Sequence, residues 1–183
     1  MANKIPLNVG PMQAILIEHR EGQPDAETVM PPTEGGTTLT FTFETLDSKA
    51  DQTGSFARAS YFTGGEATIS CNFTEMEMDE VLKLFPIYDE VTKSVQVPIG
   101  ADVTNNPPSL LLRPIIEGEV SNDDNLAIFA PKVVPTPNFN VEFSLNTQRI
   151  WTVDFKVLPY DPVNFDFTLL VLGDKEYNPP VGT

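Results

Sequence analysis

Cysteine, histidine and tryptophan each occur once in this chain, and each scarcity removes a class of function. A single cysteine permits no internal disulfide, so nothing points to an oxidising compartment. The one histidine, His19, has no His or Cys partner at metal-ligand spacing, which argues against zinc and leaves no evident base for a Ser or Cys nucleophile. Positive charge is also scarce: 11 Lys and Arg stand against 26 Asp and Glu, a formal net charge of −15. Such a chain repels phosphate backbones, which argues against nucleic-acid binding by charge neutralisation. Apolar runs are short. None approaches the length that crosses a bilayer, and the opening MANKIPLNVG lacks the apolar centre of an export signal. Neither G-x-x-x-x-G-K-[ST], G-x-G-x-x-G nor G-x-S-x-G is present. No cofactor is expected, and the chain reads as a non-enzyme.

What it does contain is turn residues and alternation. Seventeen prolines and 11 glycines over 183 residues favour many short strands over long helices, and 40% hydrophobic content is enough for a folded core. The length suits one domain, 1–183, with 1–11 and 173–183 as extended terminal arms. Residues 37–45 alternate cleanly, Leu39, Phe41 and Phe43 against Thr38, Thr40 and Thr42. Residues 67–74 do the same, with Ala67, Ile69, Cys71 and Phe73 against Thr68, Ser70, Asn72 and Thr74. Residues 139–145 set Phe143 against Asn138, Asn140 and Ser144, and 150–158 set Trp151, Val153, Phe155 and Val157 against polar neighbours. Further strands are expected at 12–17, 94–99, 110–116, 126–134 and 167–172, with a connection at 20–36 and a loop at 46–65. Residues 75–85, with Met78, Val81, Leu82 and Phe85 on one face, switch to a helical period behind the candidate cap Thr74, and Pro86 ends it. The expected fold is mainly β: a sandwich or barrel of roughly eight strands with one short flanking α-helix.

Other features have ordinary readings. Cys71 lies on the apolar side of its strand and reads as a small buried residue. SNDDN at 121–125 is acidic but lacks the spacing of a calcium loop and reads as a polar turn. NFT at 72–74 matches a glycosylation acceptor by chance. The wet faces of 37–45, 67–74, 139–145 and 150–158 are mostly Thr, Ser and Asn, with the few charges Glu44, Glu142, Asp154 and Lys156. They read either as a solvated sheet face or as a surface that must not grip what passes over it.

The succession GGTTLTFTFETLDSKADQTG, TGGEATISCNFTEMEMDEVLKLF, LLLRPIIEG and LAIFAPKVVPTPNFNVEFSLNTQRIWTVDFKVLPYD resembles the bacteriophage tail tube proteins over roughly residues 35–161. The resemblance lies in the order of weak motifs: a Gly-led alternating strand, a D-Q-x-G element, a T-G-x-x-A-x-I strand running into an acidic helix start, and a late V-x-F-K-x-L-P strand. The proline-rich segments at 24–32 and 104–108 and the C-terminal tail depart from it. It implies a virion protein made in the host cytoplasm, forming hexameric rings that stack into a tube with other tail proteins. The inner sheets would join into one continuous barrel with an anionic bore, through which viral DNA passes without specific binding and with no membrane insertion. Thr38, Thr40, Thr42, Thr68, Ser70, Asn72, Asn140, Glu142, Thr152 and Asp154 would line that bore. The 46–65 loop would reach the next ring through Asp51, Gln52, Arg58, Tyr61 and Phe62. Two alternatives stand beside it. One is a related ring-forming tail component, such as a terminator, a baseplate or tail-tip adaptor, or a head-to-tail connector. The other is a monomeric ligand-binding β-sandwich, against which the placement of Trp151, Phe41, Phe43 and Phe143 on the apolar side counts.

Overall fold

Strict alternation needs two environments, and the computed structural model supplies them as two antiparallel sheets sharing one apolar core. It describes residues 3–8, 10–19, 24–49, 57–74, 76, 80, 83–84, 88–89, 94–95, 107–138, 150–160 and 168–173. In chain order the strands are β1 (Asn3–Asn8), β2 (Met12–Glu18), β3 (Ala26–Val29), β4 (Thr33–Lys49), β5 (Ala57–Thr74), β6 (Tyr88–Asp89), β7 (Ser94–Val95), β8 (Ser109–Ile116), β9 (Glu119–Val120), β10 (Ile128–Ala130), β11 (Val133–Asn138), β12 (Ile150–Val157) and β13 (Val171–Leu172). One sheet runs β1-β4-β5-β12-β11. The other runs β13-β10-β8-β2-β3 with β9 attached to β8, and β6 and β7 pair separately.

The core takes alternate residues from both sheets. Leu39, Ile69, Cys71, Phe73, Val133, Val153, Phe155 and Val157 come from the first; Met12, Ala14, Leu16, Leu110, Leu112, Ile128 and Ala130 come from the second. Phe41 and Trp151 pack at its margin, and Phe41 stacks on Phe43 with ring centroids 5.6 Å apart. The sheets are also tied by hydrogen bonds. The buried Thr33 hydroxyl receives Met12 N–H at 2.9 Å and contacts Met12 C=O at 3.1 Å, while Thr37 N–H donates to Gly10 C=O at 2.8 Å. Gly35 and Gly36, at φ 77° and 88°, absorb the register shift between Thr33 and Thr37 that this crossing requires.

Several expectations are corrected. The described sheets are open, and neither closes into a barrel. The expected loop at 46–65 is largely strand: β4 continues to Lys49 and β5 starts at Ala57, with Leu46 opposite Tyr61 and Lys49 opposite Ala57. Ser, Ala and Gly there have little strand preference of their own, and the ladder to the partner strand supplies the order. Within the extended arm expected at 1–11, residues 3–8 form strand β1, from Asn3 opposite Phe43 to Asn8 opposite Thr38. The connection at 20–36 contains β3, and the strand expected at 126–134 is a 3-10 turn (Asp124–Leu126) followed by β10 and β11. Of the helix expected at 75–85, Glu80 and Lys83 are helical and Leu84 is buried, while most of the segment lies outside the described residues. The strand expected at 139–145, and with it Phe143, also lies outside them.

Candidate functional site

The register of the first sheet lines up its polar residues in rows. Thr38 stands opposite Ser70, Ser70 opposite Asp154, and Asp154 opposite Thr136. In the next row Thr40, Thr68 and Lys156 follow one another, and beyond it Thr42 faces Glu66. On the other side Asn72, Thr152 and Asn138 make a further row. Side chains alternate across a strand, so these rows share the face opposite Leu39, Ile69, Val153 and Phe155, which are at most 1% exposed. Thr38, Thr40, Thr42, Thr68, Ser70, Asn72, Thr152 and Asp154 are half-buried, while Glu66, Thr136 and Lys156 are exposed.

Adjacent strands are hydrogen-bonded across this face. Ser70 Oγ donates to Asp154 Oδ1 at 2.6 Å, and Thr152 Oγ1 donates to Asn72 Oδ1 at 2.8 Å. Each bond fixes side chains that alternate strand geometry has already brought opposite. The charged residues at register positions of this face include Glu44, Glu66, Asp154 and Lys156, with Lys4 opposite Thr42 on β1, so most of the net charge of −15 lies elsewhere in the chain. The surface is polar, weakly acidic and poor in cations.

Eight of the ten residues expected to line a bore therefore lie together on one face. Asn140 and Glu142 fall outside the described residues. Among the residues expected to contact a neighbouring ring, Asp51 and Gln52 also fall outside them. Arg58 and Phe62 lie in β5, and Tyr61 is 60% exposed beside Leu46, itself 62% exposed. Glu66 and Thr136 escaped the sequence reading. Thr136 sits between two prolines in VVPTPN, which hide the strand period, and Glu66 follows the Gly64-Gly65 pair.

Beneath the polar face, Cys71 has 0% exposure and its Sγ lies 3.8 Å from Thr37 Oγ1. Burial pushes its thiol pKa up from 9.0 to about 12; the Thr37 contact opposes this and the Asp154 charge adds to it. Below pH 9.0 the thiol is neutral in both folded and unfolded chains. Above it only the unfolded chain ionises Cys71, so stability falls as pH rises from 9.0 towards 12, by about 1.4 kcal/mol per pH unit. Denaturant unfolding of Cys71→Ala should show a shallower alkaline slope than the parent; identical slopes would remove this assignment.

On the second sheet the fold assembles a constellation that sequence reasoning missed. His19 Nε2 lies 2.6 Å from Ser109 Oγ, and His19 Nδ1 lies 3.2 Å from Asp25 Oδ2. The order Ser, His, Asp is that of a hydrolase triad, but the serine is placed for structure. Ser109 is 1% exposed and its hydroxyl donates to Pro131 C=O at 2.7 Å. With its one proton committed there, Ser109 Oγ faces His19 as an acceptor, the reverse of what a nucleophile needs. A fluorophosphonate probe is expected to leave the folded chain unlabelled. Labelling abolished by Ser109→Ala would restore the hydrolase reading.

The acids of SNDDN are likewise in use. Asp123 Oδ1 accepts from Asn125 N–H at 3.0 Å and from Asn125 Nδ2 at 2.9 Å, and Asp124 pairs with Arg113 at 2.7 Å. No protein-family profile matches this sequence, and no curated protein matches it.

Proposed function

We propose that this chain is a structural subunit of a phage-type tail tube: copies form hexameric rings, the rings stack, and the polar face of the β1-β4-β5-β12-β11 sheet lines the bore. The observation that carries this reading is the unbroken polar face across β4, β5 and β12, rich in hydroxyl and amide groups, with Lys156 as the one cation within residues 37–44, 64–74 and 150–157. A conduit for DNA must stay wet without offering phosphates an anchor. Thr, Ser and Asn hold water, and the scarcity of Lys and Arg denies the ion pairs that make nucleic acid stick. The wall in this reading is only weakly acidic; the wider repulsion comes from the assembly, since six copies carry −90, six times −15. The β4–β5 hairpin, with Leu46 and Tyr61 at its exposed outer part, is the element that reaches the next ring. The partners are sister copies and other tail proteins, the location is the virion, and DNA passes without being bound.

Negative-stain microscopy of the purified chain tests this. Rings or filaments with a stain-filled centre are expected. Single rings that never stack would favour a terminator or adaptor of the same build, and a monomer at every concentration would contradict the proposal.

A further inference from the structure

The polar face does not run to the tip of the β4–β5 hairpin. The register passes from Thr42–Glu66 and Glu44–Gly64 to Thr45–Phe62 and Leu46–Tyr61, which leaves Thr63 as the extra residue of a bulge on β5. β4 itself is uninterrupted there, so Leu46, two residues past Glu44, stays on the side of Thr40, Thr42 and Glu44. On β4 the binary pattern is therefore reversed beyond the bulge. Leu46 and Tyr61, 62% and 60% exposed, stand opposite each other on the polar side, while exposed Thr45 takes the position on the core side. A cross-strand pair of a large aliphatic and an aromatic side chain, turned away from the chain's own core, is suited to burial against another surface.

The same two strands end in a second uncharged feature at the far side of the sheet. Thr33, Phe73 and Trp151 stand in one row there, and Trp151 is half-buried. The corner that leads into this row, Val29 to Pro32, joins β3 to β4; Val29 is 51% exposed and Pro32 is exposed. Copies that each carry −15 repel one another, so they associate most readily through patches without charge, and both of these are uncharged.

We infer that the two patches are partners: the Leu46–Tyr61 pair of one copy seats on the Val29–Pro32 corner of a second copy stacked head to tail with it. The patches lie at opposite ends of one strand pair, so they cannot meet within a chain, and a contact between unlike ends repeats from copy to copy without closing. The inference rests on the tube reading for the ring around each copy and adds which surface of the next ring receives the hairpin. It also gives the hairpin a side. Its bore-facing surface is covered by the next ring, so the hairpin lies behind that ring's wall and keeps Leu46 and Tyr61 out of the wet channel. From Tyr61 to Phe73, β5 spans roughly 40 Å at about 3.3 Å per residue, which sets an upper limit on the rise from ring to ring.

Cross-linking tests it. Tyr61→Cys and Pro32→Cys are made separately and together, and the assembled protein is treated with a short bis-maleimide; Cys71, at 0% exposure, does not compete. The double variant is expected to give a ladder of covalent multimers, and each single variant to stay monomeric on a denaturing gel. Dimers from either single variant would show like ends meeting, and stacks of the double variant without a ladder would place the hairpin elsewhere; either result overturns the inference. Leu46→Ser/Tyr61→Ser is the second arm. Folded by circular dichroism, it should need at least about tenfold more protein than the parent to form stacks, and stacking at the parent's concentration would overturn the inference. The two readings fail separately. A ladder from filaments without rings would count against the tube reading alone, hollow tubes without a ladder would count against the inference alone, and a parent chain that stays monomeric would overturn both.

Discussion

Replacing Phe155 with alanine is expected to destabilise the fold by about 3–5 kcal/mol. Phe155 is 0% exposed and lies in β12, between β5 and β11, opposite Ile69 on one side and Pro135 on the other. Its ring fills the centre of the core shared by both sheets, and strands pinned on either side cannot collapse into the space it leaves. A domain of this kind is stable by only about 5–15 kcal/mol, so the variant should lose at least about a fifth of its margin. Denaturant unfolding should show a lower midpoint with an unchanged slope. A loss below about 1 kcal/mol would mean that Phe155 is not in a packed core. Thr152→Val, on the opposite face of the same strand, removes only the bond to Asn72 and should cost about 1 kcal/mol.

Thr40→Arg is expected to leave folding and tube formation intact while lowering infectivity by roughly tenfold or more, because each guanidinium on the wall is a phosphate anchor. Thr40 is half-buried on the polar face, with Thr68 as its neighbour on β5, and nothing acidic stands directly opposite it. A ring would present six such groups at one level of the bore. Ser70→Arg should act in the same direction but more weakly. Asp154 lies opposite Ser70 and already accepts its hydroxyl proton at 2.6 Å, so an arginine there is partly neutralised across the strands. The ranking of the two variants separates a lumen effect from general damage. Ejection assays on intact tails should show DNA release slowed in the first variant and less so in the second. Normal infectivity of both would contradict the assignment of this face to the bore.

The parts of the fold legible in the sequence are those where alternation meets a core. Residues 37–45, 67–74 and 150–158 announce both their strands and their two faces, because every second position must fill the space between the sheets. Eight of the residues placed on the polar side are there for that reason. The edges were not legible. Pro6, Pro135 and Pro137 suppress the strand signal in β1 and β11, and their compatibility with a strand becomes visible only once one side of that strand pairs with no other strand among the described residues. The outer hairpin at 46–49 and 57–65 has too many small and polar residues to declare itself, since its order comes from the pairing. The His19, Ser109 and Asp25 cluster is drawn from three separate stretches of chain, and no local pattern could have joined them. In contrast, Glu117 and Gly118, at φ 54° and 87°, form the two-residue turn between β8 and β9 that an E-G pair between apolar runs permits.

A three-dimensional reconstruction of the assembled protein by electron cryo-microscopy tests the central claim most directly. The account predicts six copies around a channel, with Thr40, Thr68, Ser70, Asn72 and Thr152 facing the axis and Leu39, Ile69 and Phe155 turned away into each subunit's own core. An assembly in which that polar face is buried against a neighbour or turned to the outside would contradict it.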